Sequence, residues 1–590
     1  MNKITSDELI KINQNFRVTA GPGAGKTYWL INHINNVLKN STKISGIKKI
    51  ACITYTNIGV DTIRNRLKDN INVDVMTIHS FLYYNVVKPY ASFTKNDYVL
   101  NASLIDGHDE PRFHKSVTIN WLENHSNVQD LKHPFSLKQL TQLNNNLLAI
   151  CNWLISMKAT LDGEDIKFEC NNKKAVHVSV KDDKKIRTQI NNQTLNILKS
   201  DLLKYKTELW KIGVVDHEDI LYISYRLIKD NPFIIKVLRS KYPYYFIDEY
   251  QDTNPIQSEI LKLISNDDVI IGVIGDEAQS IFGFQGSDVS LFKENIASNV
   301  IEYVIEDNRR STEKIVGCLN LLRKNMQQRN LREDKGTMPM ILVGDKKAAQ
   351  IEAKRLYDEA FVQILSRNNI TSNIMKGEYI DLDFDKDLIE IINSTDSPSS
   401  GNGYRSMCVI QCLRSVELAK QNNFYDSIRE MRKALDLSKE KNGNLEAIKS
   451  IQLLLSLYET YENKKLIEFV SIIKQNICPK ISNLRSGSPK RLYEQTEYKQ
   501  AAVCINISED TSNSKTIHKA KGDEYDNVLV VLNTEKELDF LLDTDLLNNE
   551  EHRIYYVAIT RAKNNLLISV PKLSKKNRKT LANHYQIKDV

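Results

Sequence analysis

Short apolar runs bounded by turn residues alternate with helical apolar spacing over the first 90 residues of the chain. Phe16-Arg17-Val18-Thr19 is extended and runs into a glycine-rich turn and then a helix start. Ile50-Ala51-Cys52-Ile53-Thr54-Tyr55 is a second strand and leads into a helix from Val60 to Leu67. Strands that alternate with helices predict a parallel sheet. Between residues 91 and 215 the pattern changes. Polar, Asn- and Lys-rich segments there carry apolar residues at helical spacing, such as Leu195, Leu198, Leu202 and Leu209, and predict an inserted helical subdomain. Strand character returns at Tyr245-Phe246-Ile247, at Val269 to Ile274 and at Phe361 to Leu365. Ser394 to Gly403 reads as a loop by composition, Val416 to Ile477 as helical, and Arg485-Ser486-Gly487-Ser488-Pro489 as a further break. Strands at Val528 to Val531 and Leu566 to Ile568 bring the α/β pattern back.

The expected fold class is therefore α/β, with two cores that are each interrupted by a mainly helical insertion. The first core takes residues 1–90 and 216–310 around an insert at 91–215; the second takes 311–375 and 496–590 around a smaller insert at 376–495. A chain of 590 residues is too long for one hydrophobic core, which agrees with such a division.

Composition narrows the class only a little. With 41% apolar and 26% charged residues the chain has ordinary globular chemistry. No stretch offers the roughly 18 uninterrupted apolar residues of a membrane helix, and the first residues lack an apolar signal core. The expectation is a cytoplasmic protein with no membrane partner. A net charge of +7 is thin over this length and does not by itself select nucleic acid. The eight cysteines contain no CxxC pair. Cys408 and Cys412 stand one helical turn apart without a second ligand pair, so reduced structural thiols are expected rather than a metal site.

Candidate chemistry changes the picture more. Ala20-Gly21-Pro22-Gly23-Ala24-Gly25-Lys26-Thr27 lies between a strand and a helix. Glycines let backbone N–H groups wrap phosphates, and the following helix adds positive potential. Lys26 is expected on the β- and γ-phosphates and Thr27 on Mg²⁺; Gly21, Gly23, Ala24 and Gly25 form the cradle. Phe246-Ile247-Asp248-Glu249-Tyr250-Gln251-Asp252 delivers two adjacent acids at the end of an apolar strand, where ligands bind in open α/β sheets. Asp248 is expected to hold Mg²⁺, and Glu249 to orient and deprotonate an attacking water. ATP and Mg²⁺ are the implied cofactors.

Further segments then follow in a fixed order. Thr54-Tyr55-Thr56-Asn57, Thr77-Ile78-His79-Ser80-Phe81, Gly275-Asp276-Glu277-Ala278-Gln279-Ser280-Ile281-Phe282-Gly283-Phe284, Asn308-Arg309-Arg310-Ser311, Thr516 to Tyr525 and Glu550 to Ala562 each resemble a motif of UvrD/Rep-type superfamily 1 DNA helicases, as does Asp248-Glu249-Tyr250-Gln251-Asp252. The matches run from residue 20 to 562 in family order and leave both inserts unmatched. The resemblance implies two RecA-like motor domains and an ATP-driven motor moving 3′ to 5′ on single-stranded or tailed duplex DNA. It implies that Gln279 senses the γ-phosphate, that Arg310 and Arg561 neutralise charge on the transferred phosphoryl group, and that Glu524 contacts the ribose. It places DNA contacts at Tyr55, Thr56, Asn57, His79, Phe282, Phe284 and His518, the bases stacking on the aromatics. The alternative for Tyr55 and Phe284 is that they are core.

The sequence departs from the family pattern at several of these positions. Glu8 stands nearest to the family's adenine-reading Gln, and Tyr28 and Arg309 replace the usual Arg and Tyr, which suggests a sandwich of the base with its two sides exchanged. Gln285 and Asp523 stand where the family usually has Arg and Leu. The reduced second insert resembles the helicase-like subunit of Gabija anti-phage systems, which implies a partner nuclease. Two rival expectations remain: a DNA-sensing ATPase switch that regulates such a nuclease with little unwinding, and a housekeeping DNA-repair helicase. An unrelated phosphoryl-transfer enzyme would require the later motifs to be accidents.

Overall fold

The computed structural model describes residues 1–94, 100, 104–105, 107, 114–181, 184–376, 387–396, 404–421, 423–435, 443–484, 486–505 and 512–590. The first core is a seven-stranded sheet in the spatial order Asn2–Lys3, Ile301–Ile305, Phe16–Ala20, Ile270–Gly275, Tyr244–Ile247, Ile50–Thr54, Val73–Thr77. Every pairing in it is parallel. Three inner strands, Ile50–Thr54, Tyr244–Ile247 and Ile270–Gly275, are buried at every position because both faces of the sheet are covered. Tyr244 and Phe246 face one side, where Trp29, Leu30, Ile34 and Val37 of helix Lys26–Asn40 pack. Tyr245 and Ile247 point to the other, against helices His217–Asp230 and Pro255–Ile264. The two-residue alternation of the strand thus serves two separate cores.

The insertion between strands Val73–Thr77 and Tyr244–Ile247 is mainly helical, as expected, but is not helical throughout. Beside helices Lys115–Glu123, Asn144–Ile155 and Leu202–Lys211 it carries two antiparallel hairpins, Lys158–Asp162 with Asp165–Glu169 and Val176–Lys181 with Lys184–Gln189. In Asp165–Glu169 the buried Ile166 and Phe168 alternate with exposed Asp165, Lys167 and Glu169, a period of two that the surrounding charge obscures. Trp153, Leu195 and Trp210 of this insert share one buried cluster with Tyr245 and Ile271 of the sheet.

The second core is a six-stranded parallel sheet in the order Ser514–Thr516, Gln363–Ser366, Tyr525–Val531, Ala562–Val570, Met340–Val343, Gln586–Asp589. Its insertion is helical among the described residues, around a separate cluster that includes Leu413, Tyr461 and Phe469. The helical body runs on through Tyr498–Ala502 to Ile505, past residue 495. The loop expected from Ser394 begins later: Ser394 and Thr395 end helix Leu388–Thr395, and Asp396 forms a buried ion pair with Arg405. Its remaining residues, 397–403, lie outside the described residues, as does Arg485 of the second break. That break is made by Gly487, at φ 95°, directly before helix Ser488–Gln495.

A short parallel pair, Asp307–Asn308 with Arg329–Asn330, joins the two cores. Helix Glu313–Leu322 then packs Ile315 and Leu319 beside Val528 and Leu566 of the second core. No helix among the described residues is long and apolar enough to cross a membrane.

Candidate functional site at the cleft between the cores

Strand Phe16–Ala20 ends at a turn that feeds helix Lys26–Asn40, with Thr27 in the first helical turn. Gly23 (φ 70°) and Gly25 (φ 80°) occupy the left-handed region that side chains strain. A Cβ on Gly23 would also come within 2.7 Å of the Arg310 Cβ. The turn is fixed from outside. The Pro22 carbonyl accepts hydrogen bonds from Asn308 Nδ2 (3.0 Å) and Gln328 Nε2 (2.8 Å), and the Gly23 carbonyl accepts the Arg309 N–H (2.9 Å). A loop of this shape at a helix N-terminus presents backbone N–H groups and positive potential to an anion. Tyr28, in the first turn of helix Lys26–Asn40, is 47% exposed, and Arg309 borders the N-terminal turn. There Arg309 Nε donates to Ser6 Oγ (2.9 Å) and its guanidinium pairs with Asp7. The Glu8 carboxylate caps the same turn by accepting the Thr5 N–H at 2.7 Å.

Asp248 and Glu249 follow the buried strand Tyr244–Ile247. Glu249 is itself left-handed, at φ 54°, a strained conformation of the kind that concentrates at functional sites. Its N–H donates to Asp248 Oδ1 (3.0 Å), and its Oε2 accepts from Gln251 Nε2 (2.5 Å). Burial, then the neighbouring Glu249 charge, push the Asp248 carboxyl up to about 7. Burial alone would raise Glu249 as well. The field of Lys26, then Lys521, the Gln251 hydrogen bond and Arg561 outweigh it and hold that carboxyl at about 2.

The second core reaches this site through Arg561, which follows helix Glu550–Ile559. Its buried guanidinium donates to Gln279 Oε1 (2.9 Å); Gln279 Nε2 donates to Asp276 Oδ2 (2.6 Å), and Asp276 pairs with Arg323 (2.8 Å). Burial, then the charge of Arg310, pull Arg561 down to about 9. Lys521 pairs with Asp252 and donates to the Gln279 carbonyl (2.9 Å). Arg310 donates to Glu524 Oε1 (2.6 Å) and to the Thr560 carbonyl (3.0 Å). Arg553 Nε to the Ser280 carbonyl (2.7 Å) and the Gly283 N–H to Glu550 Oε1 (2.8 Å) complete the bridge. Contacts between the cores thus concentrate around the segment that carries Gln279.

On the neighbouring face lies a cavity of about 690 Å³, lined by Tyr55, Thr56, Asn57, His79 and Phe284 among others. The Tyr55 ring stacks on Phe282 with centroids 4.7 Å apart, and its hydroxyl donates to Gln285. Phe282 is buried, whereas Phe284 is 60% exposed and has its carbonyl tied to Lys158 Nζ at 2.7 Å. The Thr56 hydroxyl accepts the Gly59 N–H (3.1 Å) and caps helix Asn57–Arg66. The His79 ring lies 5.1 Å from that of His217. His518 stands behind this face, its Nε2 3.2 Å from the Ile281 carbonyl and its ring edge-on to Phe284; burial, then Arg367, pull its imidazole down to about 4. Phe282 and His518 are thus set back from the cavity that the other five residues line.

Comparison with known proteins decides the family. The sequence model of the UvrD/REP helicase N-terminal domain matches residues 1–300, and that of the UvrD-like helicase C-terminal domain matches residues 410–572. The chain belongs to the UvrD/Rep helicase family. Among curated UvrD-like relatives, the "ATP-dependent DNA helicase PcrA" of Staphylococcus aureus is 26% identical over 450 residues, covering 62% of this chain and 60% of the relative. The protein of the same name from Staphylococcus epidermidis is 26% identical over 452 residues with the same coverage. The chain therefore spans about 60% of the length of these relatives.

Several residues of this UvrD-like cleft carry no role in the sequence reading. Asp252 and Lys521 lie inside the quoted motifs, but nothing local announces that they pair. Gln328 lies outside every motif and still holds the turn after Pro22. Lys158 reaches Phe284 from the hairpin that the helical expectation overlooks.

Proposed function

We propose that this chain is an ATP-dependent DNA translocase and helicase, moving 3′ to 5′ on single-stranded DNA, with hydrolysis in the cleft between the cores. One observation carries the reading: Arg561 of the second core rests on Gln279 of the first, beside the Asp248–Glu249 pair and the turn before Lys26. A site made from both cores is complete only when the cleft is closed, and this requirement couples chemistry to motion. Gly21, Gly23, Ala24, Gly25 and Lys26 cradle the phosphates, and Tyr28 and Arg309 flank the base. Glu249 orients the attacking water and takes its proton, Gln279 senses the terminal phosphate, and Arg310 and Arg561 neutralise the charge that develops there.

The donor set fits Mg²⁺. The Asp248 carboxylate and the Thr27 hydroxyl are hard oxygen ligands, and a cation would relieve the burial that raises Asp248. Bound there, Mg²⁺ would neutralise phosphate charge. Single-stranded DNA would run over Tyr55, Asn57, His79 and Phe284, where stacking tolerates any base, with Thr56, Phe282 and His518 supporting that surface.

The test is ATP turnover with and without single-stranded and tailed duplex DNA, with Glu249→Gln as control. Strong DNA stimulation that disappears in Glu249→Gln is expected. Turnover indifferent to DNA would remove the motor reading.

A second reading draws on the Tyr55 contacts. The ring stacks on Phe282 and its hydroxyl is bound to Gln285, so the platform is closed on itself. That favours an ATPase switch that senses DNA over a repair helicase that unwinds by itself; the partner nuclease of a Gabija-type defence system rests on the sequence resemblance. Strand displacement by the isolated chain would count against the switch; nuclease activation without displacement would count for it.

A further inference from the structure

The N-terminus of helix His217–Asp230 carries three acids that are used differently. Asp216 and Asp219 close the helix cap on each other and pair with the buried Lys206, at 2.5 and 3.0 Å. Glu218 has no ion-pair partner among the described residues and lines the cavity of about 690 Å³ that also holds Tyr55 and Phe284. Among the described residues its carboxylate accepts one hydrogen bond, from the Ala159 N–H to Oε2 (2.9 Å), and Oε1 accepts none. Burial pushes this carboxyl up to about 7; the Ala159 N–H opposes the shift, and the Asp216 charge adds to it. An acceptor held in a cavity and short of donors suits a ligand that brings donors. The residue before Ala159 sets what that ligand is. Lys158 opens strand Lys158–Asp162, and its Nζ donates to the Phe284 carbonyl (2.7 Å). The carboxylate and the exposed aromatic are therefore tied to successive residues of one strand. A carboxylate repels a phosphate, so DNA entering here would bring a base, not its backbone, to Glu218.

We propose that Glu218 reads the edge of a base stacked on Phe284 and gives this cavity a preference for guanine. The proposal rests on the reading of the cavity as the path of single-stranded DNA and deepens it by naming the base. Stacking alone accepts any base. Unstacked bases also present their Watson–Crick edges, and there they differ. Guanine offers two adjacent donors, N1–H and N2–H, which match the two oxygens of a carboxylate. Cytosine and adenine offer an amino group beside an acceptor, and thymine offers one N–H between two carbonyls. Each of these sets an acceptor against the carboxylate. A carboxylate oxygen has more than one lone pair, so Oε2 can keep the Ala159 N–H while it accepts from guanine. The volume of the cavity is that of an ordinary small-ligand site and has room for a base. Glu218 is in this sense a specificity residue laid over a stacking surface.

The experiment measures binding of single-stranded oligonucleotides of one length by fluorescence anisotropy, in lithium salt at one fixed concentration. Thymine alternates in them with guanine, with adenine or with inosine, which is guanine without its 2-amino group. The proteins are the wild-type chain, Glu218→Gln and Glu218→Ala. Affinities are compared as ratios within each protein, so a general loss of folded protein cancels. In the wild type the guanine repeat should bind about tenfold more tightly than the adenine or inosine repeat, the discrimination of a good bidentate base contact. Glu218→Gln should turn the preference toward adenine, whose amino group and ring acceptor match an amide. Glu218→Ala should bind all three repeats alike, so the result does not hang on one substitution. Equal binding of the three repeats by the wild type, or a guanine preference that survives in both variants, would overturn the base reading. Phe284→Ala separates the two readings, since it should weaken binding of oligothymidylate. An unchanged affinity there would overturn the DNA reading of the cavity, and the guanine preference with it.

Discussion

The two faces that meet at the segment 276–285 are built in opposite ways. Toward the Asp248–Glu249 pair, Gln279 is buried between Asp276 of its own core and Arg561 and Lys521 of the other. Toward the cavity, Phe284 is exposed, and Tyr55 covers Phe282 with a ring stack and donates its hydroxyl to Gln285. The first face is held by charge in a dry environment, where removing one partner is costly. The second includes a ring stack and a neutral hydroxyl–amide hydrogen bond, each of which a competing base could replace at less cost than a buried charge. Under the proposed coupling of hydrolysis to DNA, the rigid half would set the chemistry and the soft half would answer to its ligand.

The comparison breaks most sharply at Arg561. Arg561→Ala should lower ATP turnover by about 10³-fold while nucleotide binding survives, because a charge-neutralising arginine acts on the transition state. Arg561→Lys should not restore it, since an ammonium cannot keep the geometry of a planar fork. A change of tenfold or less in Arg561→Ala, measured as kcat, would move the essential charge to Arg310. The next largest effect is expected at Lys521, 5% exposed against an Asp252 that is fully buried. Lys521→Met should cost roughly 3 kcal/mol by stranding that carboxylate, and Lys521→Met with Asp252→Leu should recover most of it. Thermal melts of the two variants decide the matter. An unchanged melt for the single variant would mean that the cleft opens and water rehydrates Asp252, making the charged face the softer one.

How much of this could be read in the sequence follows from distance along the chain. The turn before Lys26 and the acids at 248–249 are legible because their chemistry needs contiguous residues on a strand end. Partners from opposite cores are not: Lys521 and Asp252 lie 269 residues apart, and Arg310 and Glu524 lie 214 apart. Only the fold brings them together. The parallel sheets are legible at Ile50–Thr54 and Tyr244–Ile247, whose continuous apolar runs reflect burial on both faces. The hairpin at Lys158–Glu169 is not, because its two-residue alternation is short and lies within charged sequence. Tyr55 illustrates a third case: its place in a motif is plain, but whether its ring meets a base or a neighbour depends on Phe282, which stacks on it here.

A smaller effect separates the supporting core from both faces. His33 lies on helix Lys26–Asn40 of the first core, stacked on Trp29 at 5.2 Å and edge-on to Phe16, with neither ring nitrogen hydrogen-bonded. Burial pulls its imidazole from 6.5 down to about 4. The unfolded chain therefore binds a proton that the folded chain refuses. The stability in question is complete above pH 6.5 and is lost as pH falls through that value toward about 4. The full difference corresponds to about 3 kcal/mol. Melting temperatures at pH 7.5 and pH 5 should fall less steeply for His33→Leu than for the wild type. Parallel slopes would place the acid sensitivity in other groups.

The smallest expected effect tests the soft face itself. Tyr55→Phe keeps the ring stack on Phe282 and removes only the hydroxyl that donates to Gln285. If that contact helps to hold the platform shut, a base entering the cavity must first displace it, and removal should favour entry. A single hydrogen bond contributes about 1 kcal/mol net, so single-stranded oligonucleotide should bind roughly two- to fivefold more tightly to Tyr55→Phe. Fluorescence anisotropy at one fixed salt concentration is the measurement, because phosphate contacts make any comparison across salts meaningless. Gln285→Ala should move the affinity in the same direction, since it removes the other half of the contact. Weaker binding by Tyr55→Phe would mean that the hydroxyl meets the nucleic acid directly, and that the two faces differ in how they are held but not in how firmly.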